Sequence, residues 1–238
     1  MVDKKDLIIF DIDETVTDSN SLLFSTEYLI SKEEKENVLK LATHMTWENL
    51  FTYFIQKLKE NKKTNKDLDE ATEKCPLSPG MKNLFEYIKQ NLNKYYVIII
   101  SGGFTYQINY LLKYHNFKDC VKEIYCLNSE ETNDNLLKIT NRREYNCPNC
   151  NPSQCKGQDL KDFLELKGRD SFKNIIFIGD GGNDICLAKE LCENDIVLAR
   201  DGHKLINRIN NPDETIKTKC IVKIWKSGED IINLLKDI

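Results

Sequence analysis

A doubly wound α/β fold with an inserted helical cap is what this sequence predicts, on three observations. Short apolar runs recur along the chain: "LIIF" (7–10), "YYVIII" (95–100), "EIYCL" (123–127), "NIIFIG" (174–179) and "DIVLA" (195–199), with "CIVKIW" (220–225) as a late addition. Their length and β-branched content suit strands buried on both faces, as in a parallel sheet. The segments between them carry helical spacing: Met81, Leu84, Phe85 and Ile88; Ile108, Leu111 and Leu112; Leu160, Phe163 and Leu164. Strands alternating with helices predict helices on both faces of the sheet. The third observation is an anomaly. A parallel crossover needs a dozen or more residues, yet residues 11–94 separate the first two long strands.

Taken in order, the first strand is an apolar run that ends in Asp11 and Asp13. Residues i and i+2 of a strand share a face, so these two like charges need a cation between them or a proton on one. From Ser21 to about Lys74 the apolar spacing is helical, with Leu22, Leu23, Tyr28, Leu29, Val38, Leu39, Trp47, Leu50, Phe51, Phe54 and Leu58. This predicts a helical cap domain over residues 21–74, inserted in a Rossmann-like core domain made of residues 1–20 and 75–238. "CPLSPG" then returns the chain to the core. The second long strand ends in "SGG", Ser101 to Gly103, just before a helix. Lys156 opens the helix leading into the fourth strand, and that strand ends in "GDGGND", placing Asp180 at its tip and Asp184 in the first turn beyond.

Composition narrows the function. The chain has 238 residues, 40% hydrophobic and 30% charged, enough to bury a sizeable core. A formal net charge of -4 with interspersed acids and lysines provides no footprint for nucleic acid. No apolar run is long enough to cross a bilayer, and "MVDKKD" leads straight into the first strand, so the expectation is a soluble cytoplasmic protein. With nine cysteines, an odd count in a long chain, most are expected as thiols. Cys75, Cys186 and Cys192 read as small buried hydrophobes. Cys147 and Cys150 have zinc-knuckle spacing with Cys155 as a third ligand; no fourth is obvious, Cys126 or Cys120 could reach the site, and His203 is a weaker candidate. The alternative is a loop of free thiols ordered by packing. His44 and His115 fall in predicted helices and are assigned no chemistry.

In an open parallel sheet, ligands bind beyond the carboxyl ends of the strands. Adjacent strands lie roughly 4.8 Å apart, so Asp11, Ser101 and Asp180 come within reach of one small ligand if their strands are neighbours. Clustered carboxylates need a hard divalent cation, and magnesium suits carboxylates combined with phosphate oxygens. Ser101, Gly102 and Gly103 provide donors for a phosphate, and Lys156 balances charge. Singly, each feature has a plainer reading: an Asp at a strand end is often a turn former or helix cap, and a lysine is usually solvated. The order of all four at the same rim is what points to chemistry.

"DIDET", "SGG", Lys156 and "GDGGND" resemble the four motifs of the haloacid dehalogenase-like phosphatases. "FDIDETVTDSNS", "PLSPGM", "CPNCNPSQCKGQDL" and "FIGDGGNDICLA" further resemble the phosphoethanolamine/phosphocholine phosphatase family. The resemblance implies a magnesium-dependent phosphatase acting on a small-molecule phosphomonoester. Asp11 would form an aspartyl-phosphate, and Asp13 would serve as general acid and base. Asp11, Asp13 (through its carbonyl), Asp180 and Asp184 would hold or orient the magnesium ion. Ser101, Gly102 and Lys156 would bind the phosphoryl group. Related ion pumps carry Thr where Asp13 stands, so Asp13 favours hydrolysis over a non-catalytic phospho-ligand binder, or a phosphotransferase or mutase of the same superfamily. Two positions depart from the pattern. Gly102 and Leu22 stand where choline-phosphate-specific relatives carry Asp, which argues against a cationic head group and leaves phosphorylated vitamins or sugars. Trp47, Phe51, Phe104 and Tyr106 could offer aromatic faces, although core packing is the simpler reading of each.

Overall fold

The computed structural model describes residues 4–133 and 136–238. A seven-stranded sheet has the order β4-β3-β2-β1-β5-β6-β7, where β1 is Lys5–Phe10, β2 Tyr95–Phe104, β3 Val121–Glu131, β4 Leu137–Thr140, β5 Phe172–Gly179, β6 Ile196–Arg200 and β7 Ile221–Trp225. All pairings are parallel except β3 with β4. The sheet order reverses direction at β1, which sits centrally between β2 and β5.

Side-chain alternation along β1 explains why its run is apolar throughout. Ile8 and Phe10 enter the core formed with Met81, Leu84 and Ile88 of helix α5 (Met81–Gln90), while Leu7 and Ile9 enter the core formed with Leu160 and Phe163 of α7 (Lys156–Lys167). Strand β2 divides likewise, with Val97 and Ile99 on one face and Ile98 and Ile100 on the other. Helices α6 (Thr105–Tyr114) and α10 (Gly228–Lys236) cover the first face; α8 (Ile185–Glu190) and α9 (Lys204–Asn210) cover the second. Each fully buried Ile, Leu or Phe contributes about 1.5–3 kcal/mol, so the central strands anchor the site at their ends. Helices α7 and α8 meet at Gly157, where a Cβ would lie 2.4 Å from the Cys186 carbonyl oxygen. Only glycine permits that approach.

Four helices follow β1: α1 (Ser21–Leu29), α2 (Lys32–Leu41), α3 (Trp47–Glu60) and α4 (Asn65–Lys74). Their starts carry local signals, with Asn20 capping α1, a Ser31/Glu34 capping box on α2 and Thr46 capping α3. Leu22, Leu29, Val38, Leu50, Phe51, Phe54, Leu58 and Leu68 form a third core among them. That core is not purely helical. Phe104, Leu127, Leu137 and Ile139 complete it, and Phe51 meets Phe104 edge-on at 5.0 Å. The expected strand 123–127 therefore runs on to Glu131 and pairs with β4, which sequence reading missed. Four residues, "LKIT", are too short a run to reveal their alternation. His44 and His115 also differ from expectation, each lying just beyond the helix it was assigned to. Among the described residues, no helix is long and apolar enough to cross a membrane.

Candidate active site

The carboxyl ends of β1, β2 and β5 converge on one cavity of about 260 Å³. Asp11, Asp13, Gly102 and Asp180 line its floor; Leu22, Trp47, Leu50 and Phe51, from α1 and α3, line its roof. Glu14, Asn20, Asn183 and Lys204 stand at the sides.

Asp11 continues β1, donating its amide to the Ile178 carbonyl at 3.0 Å. Its Oδ1 accepts from the Ile12 amide at 2.7 Å, and its Oδ2 lies 2.6 Å from Lys156 Nζ. The chain then wraps tightly around the Ile12 carbonyl, which accepts from the amides of Val16 and Thr17 at 2.8 and 3.0 Å. This wrap needs Glu14 in the left-handed region, at φ 55. Arg200 steadies it by donating to the Glu14 carbonyl at 2.6 Å and pairing with Asp18. Asp13 turns toward the cap, its Oδ1 accepting from the Ser21 amide at 2.8 Å and its Oδ2 from Asn20 Nδ2 at 3.3 Å. The start of α1 thus rests on Asp13. The Asp13 carboxylate is not in the acid cluster, and the metal role expected of Asp13 is that of its backbone carbonyl.

That cluster consists of Asp11, Asp180 and Asp184, each offering one oxygen within 4.8 Å of the others. Asp184 is fully buried. Its Oδ1 takes a hydrogen bond from Lys156 Nζ at 2.6 Å, and its Oδ2 accepts from the amides of Asp180 and Gly181 at 3.0 and 2.8 Å. Both oxygens are occupied in shaping the loop, so Asp184 positions the others. Asp180 Oδ1 accepts from Thr15 Oγ1 at 3.2 Å, and its Oδ2 lies 3.0 Å from His203 Nδ1. The sequence suggests His203 only as a weak ligand for the cysteine group, and no spacing rule marks it as a partner of Asp180.

Among the described residues, Lys156, 1% exposed, is the only lysine paired with these acids. Burial opposes its charge, but Asp11 and Asp184 outweigh that and raise its pKa. One cation among three buried carboxylates is too little. Burial, only partly offset by Lys156, pushes the Asp11 carboxyl up to about 7. Burial and repulsion from Asp11 and Asp184 push Asp180 up to about 8. Burial also raises Asp13, against the hydrogen bonds from Ser21. The donor set, all hard oxygen and short of positive charge, fits a divalent cation such as magnesium.

Ser101 is fully buried, its Oγ accepting from the Gly103 amide at 3.3 Å. Ser101, Gly102 and Gly103 lie within β2, which runs on to Phe104, and the helix expected just after "SGG" begins at Thr105. Gly102 faces the cavity, and a Cβ there would meet the Trp47 ring at 2.6 Å. Of the aromatic candidates, Trp47 and Phe51 line the cavity; Phe104 is instead buried in the cap core.

The cysteines are rearranged relative to expectation. Cys147, Cys150, Cys155 and Cys186 come together, whereas Cys120 donates to the Phe85 carbonyl and Cys126 to the Leu127 carbonyl. The candidate fourth members are thus engaged elsewhere, and Cys186, read as a simple hydrophobe, takes that place. Its position six residues past Asp180 was visible, but only tertiary packing of α8 against α7 brings it to the loop.

Residues 6–238 match the family model described as "Putative Phosphatase". The chain belongs to this family. Human pyridoxal phosphate phosphatase PHOSPHO2 is 26% identical over 235 residues, covering 98% of each chain. Human phosphoethanolamine/phosphocholine phosphatase is 25% identical over 234 residues, covering 94% of this chain and 86% of that one. Among solved structures, a substrate-bound phosphoserine phosphatase complex superposes with a TM-score of 0.62 at 16% identity, covering 98% of this chain and 99% of the other. At that identity the likeness shows the fold alone. Family membership makes the chain a haloacid dehalogenase-like hydrolase of phosphomonoesters. In this family member, the sheet carries every acid of the cavity floor and the cap supplies the apolar roof.

Proposed function

We propose that this chain is a magnesium-dependent phosphatase that works through an aspartyl-phosphate and prefers a phosphomonoester with a flat, uncharged leaving group. Pyridoxal 5′-phosphate, the substrate in the name of one relative, is the leading candidate. The observation that carries the preference is the roof. Leu22 and Gly102, the two positions expected to bear carboxylates for a cationic head group, both face the cavity, beside Trp47 and Phe51. An aromatic ring can stack there, whereas a quaternary ammonium would find neither of those acids.

Asp11, Asp180 and the backbone carbonyl of Asp13 would hold the magnesium ion, with Asp184 fixing the loop that carries Asp180. When bound, the ion neutralises charge on the phosphoryl oxygens. Lys156, 2.6 Å from Asp11 Oδ2, favours the ionised, nucleophilic form of Asp11 against the pull of burial. Asp11 attacks phosphorus, a P–O bond forms to its carboxylate, and the bond to the leaving oxygen breaks. Asp13, whose pKa burial raises, donates a proton to that oxygen. With the alcohol gone, Asp13 takes a proton from water, which attacks phosphorus, releases phosphate and regenerates Asp11. Ser101 and the Gly102 amide stabilise the transferring oxygens.

The test is phosphate release from p-nitrophenyl phosphate, pyridoxal 5′-phosphate, phosphocholine and phosphoethanolamine, with magnesium and with EDTA. Pyridoxal phosphate should have the highest kcat/KM, and EDTA should abolish turnover. Equal or better turnover of phosphocholine would overturn the substrate assignment.

A further inference from the structure

We propose that Cys147, Cys150, Cys155 and Cys186 bind one structural zinc ion, which fixes the loop joining the cap helix α3 to the catalytic Lys156. The sulfur geometry carries the first half. Zinc–thiolate bonds of about 2.3 Å in a tetrahedron separate the sulfurs by about 3.8 Å. Here Cys186 Sγ lies 3.3 Å from Cys150 Sγ and 3.9 Å from Cys147 Sγ, and all four sulfurs fall within 4.8 Å of one another. Disulfide bonding requires about 2.05 Å, and all nine cysteines are free thiols. Four sulfurs, three from one loop and one from α8, exceed what packing alone demands.

The surroundings carry the second half. Residues 141–155 form no helix or strand, so the loop lacks backbone ladders to order it. It nevertheless makes exacting contacts. Asn151 Oδ1 accepts from the Trp47 amide at 3.1 Å, Ser153 Oγ accepts from the Glu48 amide at 3.0 Å, and Asn151 Nδ2 donates to the Met45 carbonyl at 3.2 Å. These satisfy the start of α3, whose first residue is the roof tryptophan. At its other end the loop finishes in Cys155, the N-cap of α7, directly before Lys156. Cys186 stands two residues beyond Asp184, the other anchor of that lysine. One ion at the four sulfurs therefore ties together the loop under the roof, the lysine of the floor and the helix after the acidic loop.

The experiment uses the full chain, purified under reducing conditions without added metal or a metal-binding tag. Elemental analysis should find about one zinc per chain, and cobalt substitution should yield the visible bands of a tetrahedral tetrathiolate ion. Cys150→Ser and Cys186→Ser should lose zinc, whereas Cys192→Ser, at an exposed cysteine outside the cluster, should keep it. Because the wild-type content and cobalt spectrum are read without variants, misfolding of a serine variant does not blur the result. Zinc removal should selectively speed hydrogen exchange at the amides of Trp47, Glu48 and residues 156–159, leaving β1 and β2 protected. Chains free of zinc, chains holding iron instead, or a Cys150–Cys186 disulfide in the fresh protein would overturn the site. Zinc present with exchange unchanged at α3 would overturn its role in holding the roof. Neither readout involves phosphate release, so the outcome is separate from that of the proposed reaction.

Discussion

The floor and the roof of the cavity are built by opposite means. On the floor, Asp11, Asp180 and Asp184 extend from buried strands or the loop after them, and nearly every oxygen has a named partner. The roof is a set of side chains, Leu22, Trp47, Leu50 and Phe51, on short helices whose own core includes part of the sheet. Under the proposed function, the directional contacts below serve the reaction chemistry and the non-directional packing above serves substrate choice. Hydrogen bonds hold atoms to a few tenths of an ångström, whereas apolar surfaces accept any shape that fills them.

Five predictions can break that comparison or sharpen it. The largest effect is expected at Asp11→Asn, which retains shape but cannot attack phosphorus; kcat should fall on the order of 10⁴-fold for every phosphomonoester, with the folded state intact by circular dichroism. Turnover near the wild-type level would end the covalent reading. Next is Lys156→Met, which strips the buried carboxylates of their cation. Removing one partner of a buried pair costs about 3–5 kcal/mol, to be read as a lower urea midpoint in the absence of magnesium. Added magnesium should recover part of that loss.

Changes at the roof, or at Gly102 directly beneath it, should be smaller and selective. Trp47→Ala should lower kcat/KM for pyridoxal 5′-phosphate about 10-fold, the value of one lost packing contact, while hardly changing kcat/KM for phosphoethanolamine, which has no ring to stack. Gly102→Asp should clash with the Trp47 ring, given the 2.6 Å approach of a Cβ, and should recover when combined with Trp47→Ala. Equal loss on all substrates from either change would mean that the roof supports the reaction itself and that the division fails.

The smallest effect is at His115, away from the cavity. Its Nε2 is buried without a hydrogen-bond partner, and burial together with Lys82 holds its pKa below the ordinary value. The unfolded chain takes up the proton first, so this contribution to stability is complete above about pH 6.5 and declines as pH falls through it. His115→Gln should flatten the urea midpoint between pH 7 and 5.5 by a small margin. An unchanged slope would show that the imidazole titrates alike in both states.

What was legible in the sequence was what local pattern dictates. Apolar runs and helical spacing identified the parallel strands, the long interval after β1 identified the helical layer, and charges breaking out at strand ends marked the rim. These signals survive in one dimension because a strand buried on both faces must be apolar throughout, and because a parallel sheet presents all its carboxyl ends at one edge. Local pattern could not reveal the β3–β4 hairpin, the contact of His203 with Asp180, the roof position of Trp47 over Gly102, or Cys186 as fourth member of the sulfur cluster. Each joins residues distant in the chain through the packing of whole elements, and chain order carries no record of which helix faces touch. The chemistry at the strand ends was therefore written locally, while the shape of the pocket and the closing of the cysteine group were settled by how the layers stack.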